Sequence, residues 1–137
     1  MAAGQTTATC SCGQLRVTLS GPMGPVTACC CDECRSNTGS AYGLFAGWPS
    51  ASLVSIEGDR KAYRRDSASG RWIESWFCPT CGSTVYWYSE AIPDEIGISL
   101  GTLPDPGNVA PADVYWAANR ADWVSFPASS KLHESQP

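Results

Sequence analysis

The sequence predicts an all-β, or β-dominated, single domain. Apolar and polar residues alternate over 14–20, which would place Leu15, Val17 and Leu19 on one face of a half-buried strand. Thirteen glycines and ten prolines interrupt the chain too often for long helices. The 137 residues fit one domain, because two would each approach the size at which a hydrophobic core fails.

Further β-rich segments follow, bounded by Gly, Pro, Ser and Asp: residues 42–45, 52–56, 72–77, 84–88, 96–100 and 114–117. The sequence Asp-Ser-Ala-Ser-Gly at 66–70 predicts a hairpin turn before the strand at 72–77. One short turn of helix is expected after Cys34. The aromatic residues concentrate in the strands, where they would form core and cross-strand pairs or, for a few of them, the apolar wall of a pocket.

Composition and charge exclude several classes of function. Hydrophobic residues make up 43% of the chain and charged residues 16%, which is typical of a packed core rather than of disorder. A formal net charge of −4 argues against non-specific binding to nucleic acid or to an anionic membrane. No segment approaches the roughly 20 apolar residues of a membrane span, and the first residues do not have the pattern of a signal peptide. We therefore expect a cytoplasmic protein.

The positive charge is concentrated in one region. Five of the nine basic residues lie close together in sequence: Arg60, Lys61, Arg64, Arg65 and Arg71. The pattern is compatible with a solvated hairpin and with a local site for an anion, and the sequence leaves both interpretations open.

Eight cysteines against one histidine, His133, make sulfur the principal chemical group of the chain. This ratio excludes a site built on several histidines and disfavours Ser-His-Asp and Cys-His catalytic arrangements. In a reducing compartment, cysteines serve more often as metal ligands or catalysts than as disulfides. They fall into three groups: Cys10-Ser-Cys12, Cys29-Cys30-Cys31-Asp-Glu-Cys34 and Cys78-Pro-Thr-Cys81.

The spacing of these groups favours two metal sites. Cys10 and Cys12 together with Cys78 and Cys81 would fill a closed, four-thiolate structural site, and each pair is followed by a glycine that permits the turn. The remaining group, Cys29, Cys31 and Cys34, would supply three ligands and leave a fourth position open, as in catalytic zinc sites. A single four-thiolate site with inert remaining cysteines is an alternative, and thiolate sites also suit iron. Cys30 would be a small buried hydrophobic residue or an alternative ligand.

The cysteine groups, in this order, resemble the family of glutathione-dependent formaldehyde-activating enzymes and centromere protein V. The resemblance rests on the combined pattern rather than on any one part, and covers roughly residues 8 to 126. The matching segments are Cys10-Ser-Cys12-Gly13, Cys29-Cys-Cys31-Asp-Glu-Cys34-Arg-Ser-Asn-Thr-Gly-Ser40, Phe77-Cys78-Pro-Thr-Cys81-Gly82-Ser83 and Gly101-Thr-Leu-Pro-Asp105.

The resemblance implies an Mss4-like zinc-binding β domain over 8–126, with flexible segments at 1–7 and 127–137. It implies a structural zinc on Cys10, Cys12, Cys78 and Cys81 and a catalytic zinc on Cys29, Cys31 and Cys34. The implied activity is that of a carbon–sulfur lyase that joins glutathione, as cosubstrate, to formaldehyde, or a related thiol to another small aldehyde. Many members carry a histidine close to the position of Asp113 or Val114, where this chain has none.

Three functions therefore stand beside one another: a zinc enzyme acting on a thiol and an aldehyde, a non-catalytic zinc domain that binds glutathione or another thiol, and a zinc-stabilised interaction module. In the first, Arg35 or the basic residues between Arg60 and Arg71 would hold the carboxylates of the cosubstrate.

Overall fold

The computed structural model describes residues 4–105 and 109–136. Within them it contains eleven strands, one α-helix and three short 3-10 turns, which confirms the predicted β-dominated class. The strands and the helix are β1 (Gln5–Thr9), β2 (Arg16–Ser20), β3 (Val26–Cys29), α1 (Asp32–Thr38), β4 (Gly43–Pro49), β5 (Leu53–Glu57), β6 (Lys61–Asp66), β7 (Trp72–Phe77), β8 (Thr84–Ser89), β9 (Glu95–Ser99), β10 (Asp113–Tyr115) and β11 (Lys131–Leu132). No helix in these ranges has the length and apolar character required to cross a membrane.

The strands form two sheets. The smaller is antiparallel, in the order β1-β2-β5, and the larger has the order β11-β10-β3-β4-β9-β8-β7-β6. In the larger sheet β10 runs parallel to both β3 and β11, and the other neighbours are antiparallel. Strand β3, which ends at Cys29, therefore lies between β10 and β4 in the interior of the sheet.

The main core joins the two sheets through alternate residues of their strands. Val17 and Leu19 of β2 pack in one cluster with Trp48 of β4 and with Ile96 and Ile98 of β9, and each of these side chains is at most 1% exposed. Burial of one such side chain stabilises the fold by roughly 1.5–3 kcal/mol. The two-residue period of the strands therefore assigns one face of the larger sheet to the core.

The opposite face of the larger sheet carries a cavity of about 340 Å³. Phe45 and Gly47 of β4 alternate with core residues and line the cavity, as do Gly97 of β9 and Trp87 of β8, which lie opposite each other. A Cβ atom on Gly97 would lie 2.0 Å from the Trp87 ring. A residue without a side chain is therefore required where the indole lies over the sheet.

Each strand segment predicted from the sequence overlaps an observed strand, and the hairpin turn at 66–70 is confirmed. The Ser67 N–H donates to the Arg71 carbonyl at 2.8 Å, and Gly70 has a φ of 84°. The helix begins at Asp32 rather than after Cys34, because the Cys31 side chain caps its N-terminus by accepting from the Cys34 N–H.

Four strands were not predicted, and each lacks the alternation on which the predictions relied. Strand β1 is rich in threonine, β3 ends in the cysteine motif, and β6 is an edge strand with almost every residue exposed. Strand β1 begins inside the segment 1–7, and β11 lies inside 127–137, so parts of both expected flexible ends pair with neighbouring strands. Residues 1–3 and 137 of those segments lie outside the described residues.

We predict that Gly97→Ala lowers the free energy of unfolding by about 1–3 kcal/mol, because the new methyl group must displace the Trp87 ring from a packed position. Urea unfolding followed by tryptophan fluorescence measures the change. Gly101→Ala is the matched control, since nothing lies within 4 Å of a Cβ there. Equal stability of the two variants would contradict the packing described here.

Candidate metal centres

The first cluster unites four cysteines from two turns that are distant in sequence. Cys10 and Cys12 lie between β1 and β2, and Cys78 and Cys81 lie between β7 and β8. The four sulfur atoms lie within 4.8 Å of one another, and none is in a disulfide. The sulfur of Cys12 is 3.7 Å from those of Cys10 and Cys78. The predicted set is thus brought together where the smaller sheet meets the larger one, and it could hold a metal ion.

Both turns have the same local design. Gly13 and Gly82 follow the second cysteine of each pair, with φ values of 85° and 79° that a residue without Cβ adopts at no steric cost. The Gly13 N–H donates to the Cys10 carbonyl at 3.0 Å, and the Gly82 N–H donates to the Cys78 carbonyl at 2.8 Å. Each pair of sulfurs therefore stands on a tight, hydrogen-bonded turn, as the sequence pattern predicts.

Backbone and side-chain donors surround the first cluster. The Leu15 N–H donates to the sulfur of Cys10 at 3.2 Å, and a metal site requires the thiolate form of cysteine. Hydrogen bonds from the side chain and then the backbone of Ser83 lower the pKa of Cys81 to about 5. Backbone hydrogen bonds, first from Cys81, also lower the pKa of Cys78, whereas at Cys12 a backbone hydrogen bond from Gln14 is outweighed by desolvation and by hydrogen bonds with the neighbouring thiols, which raise its pKa to about 11. A thiolate is therefore favoured in the turn that carries Cys78 and Cys81.

The second cluster consists of Cys29, Cys31 and Cys34, whose sulfur atoms also lie within 4.8 Å of one another. Cys29 ends β3, Cys31 caps the N-terminus of α1, and Cys34 lies in the first turn of that helix. The three side chains are therefore brought together by the strand-to-helix junction alone. They are 5%, 7% and 9% exposed, and Phe45, Tyr115 and Trp116 pack against them. Hydrogen bonds from Cys29 and Cys34 lower the pKa of Cys31. The hydrogen bond with Cys31 raises the pKa of Cys29, and hydrogen bonds with Cys29 and then Cys31 raise that of Cys34. A thiolate is therefore favoured at Cys31.

Only the second cluster adjoins the cavity. Cys29 and Cys34 line it, together with Phe45 and Trp87, whose rings meet edge to face at a centroid distance of 5.4 Å. This aromatic pair therefore forms part of the cavity wall rather than of the core, the role that the sequence left open for a few of the aromatic residues. The volume is of the size that small-molecule sites have, roughly 300–1,000 Å³.

Two polar residues of β10 form another part of the cavity wall. Asp113 and Tyr115 line it, and the Asp113 carboxylate lies 2.8 Å from Nε2 of His133. The ring of His133 also stacks on Tyr115 at 4.8 Å. Sequence reasoning assigned His133 to a flexible tail and found no histidine near Asp113 or Val114. The parallel pairing of β11 with β10 brings His133 to this position. The sequence did not predict β11, because one apolar residue, Leu132, between two polar ones is too short an alternation to indicate a strand.

The basic residues divide according to the face of the hairpin on which they lie. Arg64 points outward, where it pairs with Glu74 at 3.0 Å and covers the Trp72 ring at 4.1 Å. Arg65 and Arg71 line the cavity, and the Arg65 side chain is only 11% exposed. Arg35, the other candidate for an anion site, forms an ion pair with Asp32 instead.

Cys30 belongs to neither cluster. Its side chain is fully buried among Ala28, Val114 and Ala117, a cluster separate from the one that contains Cys29 and Cys31. Burial raises the pKa of this thiol. Of its two predicted roles, the structure places Cys30 in the environment of a small buried hydrophobic residue.

We predict that the purified protein carries about two metal ions per chain, and that Cys34→Ser carries about one, since it removes a ligand from the cluster of three. Elemental analysis gives the ratio. Cys30→Ala is the control, because it removes a buried thiol without touching either cluster, and it should retain both ions. Retention of two ions by Cys34→Ser would contradict the assignment of the second cluster.

The chain was compared with known proteins. Among solved structures it is similar to the crystal structure of a Rhodobacter sphaeroides protein, a structural genomics target, with a TM-score of 0.58 and 19% identity over 74% of this chain and 91% of the other. At that identity the likeness concerns the fold alone. No curated protein matches significantly. The family model described as "Glutathione-dependent formaldehyde-activating enzyme" matches residues 5–119, which include all seven clustered cysteines. The chain therefore belongs to the family of glutathione-dependent formaldehyde-activating enzymes.

Proposed function

We propose that the protein is a zinc-dependent enzyme of the carbon–sulfur lyase type that joins a small thiol, such as glutathione, to formaldehyde or another small aldehyde. The observation that carries this proposal is the position of the second cluster: it consists of three buried thiols, and two of them, Cys29 and Cys34, line a cavity of about 340 Å³. The family membership supports the same reaction class. Three protein ligands and an adjoining cavity are the arrangement that a catalytic zinc uses, with one position left for water or substrate.

Zinc suits both clusters. In the first, the Sγ–Sγ distances of 3.7 Å match the edge of about 3.8 Å that a tetrahedron with Zn–S bonds near 2.3 Å requires. Cys10, Cys12, Cys78 and Cys81 would hold a closed, structural zinc. Cys29, Cys31 and Cys34 would hold the catalytic one. When bound, the metal would lower the pKa of the substrate thiol, so that a thiolate exists at neutral pH.

The chain's own residues would orient the substrates and handle the proton. The reaction forms a bond between the thiol sulfur and the carbonyl carbon, and the proton lost by the thiol ends on the carbonyl oxygen. Two carboxylates of the cavity wall, those of Glu95 and Asp113, would be candidates to relay this proton, and His133 fixes the position of the second at 2.8 Å. Phe45 and Trp87 would exclude water from the cavity, so that the thiol rather than water attacks the aldehyde.

The compartment follows from the same chemistry. Free thiolate ligands and a reduced thiol substrate require a reducing environment, and we propose the cytoplasm as the site of action. The partners would be the small thiol and the aldehyde.

We predict that the zinc-loaded protein accelerates the exchange between formaldehyde, glutathione and their adduct, as measured by exchange NMR. Cys34→Ser should lose the acceleration while Cys30→Ala keeps it, because only the former removes a ligand of the cluster beside the cavity. Saturable binding of glutathione without any acceleration, at full zinc loading, would instead establish a non-catalytic thiol-binding domain.

We also predict that Cys31→Ser retains the fold better than Cys78→Ser. Serine can still cap α1 at position 31, whereas Cys78 is fully buried in the cluster that joins the two sheets. Urea midpoints, measured on both variants with zinc present, give the comparison. Equal and severe destabilisation would favour an interaction module in which both metal ions are structural.

A further inference from the structure

The second cluster lies between two cavities. Cys29 and Cys34 line the larger cavity, of about 340 Å³, and Cys31 lines a smaller cavity of about 280 Å³. Cys31 is nevertheless only 7% exposed, so a neighbouring side chain must cover it on that side. The residue that covers Cys31 decides from which cavity a metal ion on the cluster can be reached.

Trp116 is the residue in that position. Phe45, Tyr115 and Trp116 all pack against the second cluster. Phe45 and Tyr115 line the larger cavity, whereas Trp116 lines the smaller one. The indole of Trp116 therefore lies where the smaller cavity meets the cluster.

The backbone of Trp116 is in the left-handed region, with a φ of 55° and a ψ of 39°. Within residues 4–105 and 109–136, it is the one non-glycine residue with a positive φ. This conformation is unfavourable for a bulky residue, and it persists where surrounding contacts determine it, most often at functional sites. The fold therefore keeps the indole in this place against the preference of its own backbone.

Residues 131–136 supply contacts that hold Trp116. The Trp116 Nε1–H donates to Oε1 of Gln136 at 3.3 Å. On either side of Trp116, the His133 N–H donates to the Val114 carbonyl at 2.8 Å, and the Ala117 N–H donates to the His133 carbonyl at 3.0 Å. The indole and the backbone beside it are thus both tied to this segment, which lies beyond the residues 5–119 that the family model matches.

The charges of the two cavities differ. The smaller cavity is lined by three carboxylates and by no arginine or lysine, those of Asp32, Glu33 and Asp66. The larger cavity is lined by two arginines and two carboxylates: Arg65, Arg71, Glu95 and Asp113. Even with Asp32 paired to Arg35, the smaller cavity is the more acidic of the two. An anionic thiol is therefore better accommodated in the larger cavity.

We infer that Trp116, held by Gln136, is a positioning residue of the second metal site: its indole closes the cluster toward the smaller cavity, so that ligands reach the metal ion from the larger one. The inference rests on the proposed function, since it states on which side the open coordination position of the catalytic zinc lies. The indole would thereby exclude water that could otherwise approach the metal ion beside Cys31.

Zinc transfer from the zinc-loaded protein to an excess of the chromophoric chelator pyridylazoresorcinol tests this cover. The wild type should release its two ions in two phases, and Cys34→Ser, which lacks the ion of the second cluster, identifies the phase of that cluster. Trp116→Gly should accelerate this phase about tenfold or more, the size of effect typical when a residue around a metal site is removed, and leave the other phase unchanged. Because glycine adopts a φ of 55° at no steric cost, this variant removes the indole without backbone strain.

Conservative variants separate the cover from a general role in folding. Trp116→Phe, which keeps a ring, and Gln136→Glu, which keeps an acceptor for the indole N–H, should release zinc at close to the wild-type rate. Gln136→Leu removes the acceptor and should accelerate the same single phase, by less than Trp116→Gly does. Trp123→Gly is the matched control, because its indole is 77% exposed, and it should behave as the wild type.

Excess glutathione distinguishes this inference from the proposed function. If glutathione occupies the larger cavity, it should slow the second-cluster phase in the wild type and not in Trp116→Gly, which has a second opening. No acceleration in Trp116→Gly, or equal acceleration of both phases, would overturn the inference. Acceleration of the one phase without any effect of glutathione would retain the cover and reject the thiol site, and slowing by glutathione in both proteins without acceleration would do the reverse.

Discussion

The two-residue period of the larger sheet separates the core of this protein from its cavity. Trp48, Ile96 and Ile98 occupy one face and pack against the smaller sheet. Their immediate neighbours Gly47 and Gly97 have no side chain, so the other face has room for the Trp87 ring and for a cavity beside it. A single-residue slip in β4 or β9 would exchange the two faces and would place core side chains in the cavity. The register of the central strands therefore fixes the stability of the core and the shape of the cavity together.

The two cysteine clusters use that sheet in different ways. The four-thiol cluster takes its cysteines from turns of both sheets, so an ion held there would cross-link them. The three-thiol cluster takes all its cysteines from one strand-to-helix junction, and two of them, Cys29 and Cys34, line the cavity. The first arrangement serves the fold, since its loss would separate elements distant in sequence. The second arrangement joins only adjacent segments and leaves two of its sulfurs beside the cavity.

The sequence could predict the thiol clusters because their geometry is local in its parts. The turns around Cys78 and Cys81, and the junction from Cys29 to Cys34, are each formed by a few adjacent residues whose spacing can be read directly. The strands with alternating apolar residues were predictable for the same reason. What could not be predicted depends on pairing between distant segments. Strand β11 has only two residues, yet its parallel pairing with β10 places His133 against Asp113. The inward position of Arg65 likewise follows from the register of an exposed hairpin, which a run of charges does not reveal.

The position of Arg65 gives the cavity a property that neither cluster has alone. Three thiolates and one divalent cation would leave a formal charge of −1 at the second cluster, and a buried charge needs a partner. Arg65, whose Nη2 lies 4.0 Å from the sulfur of Cys34, would be that partner. Arg71, on the same hairpin, also lines the cavity. The β6–β7 hairpin thus places cationic side chains in the wall that adjoins the second cluster, which the aromatic residues of the wall alone could not do.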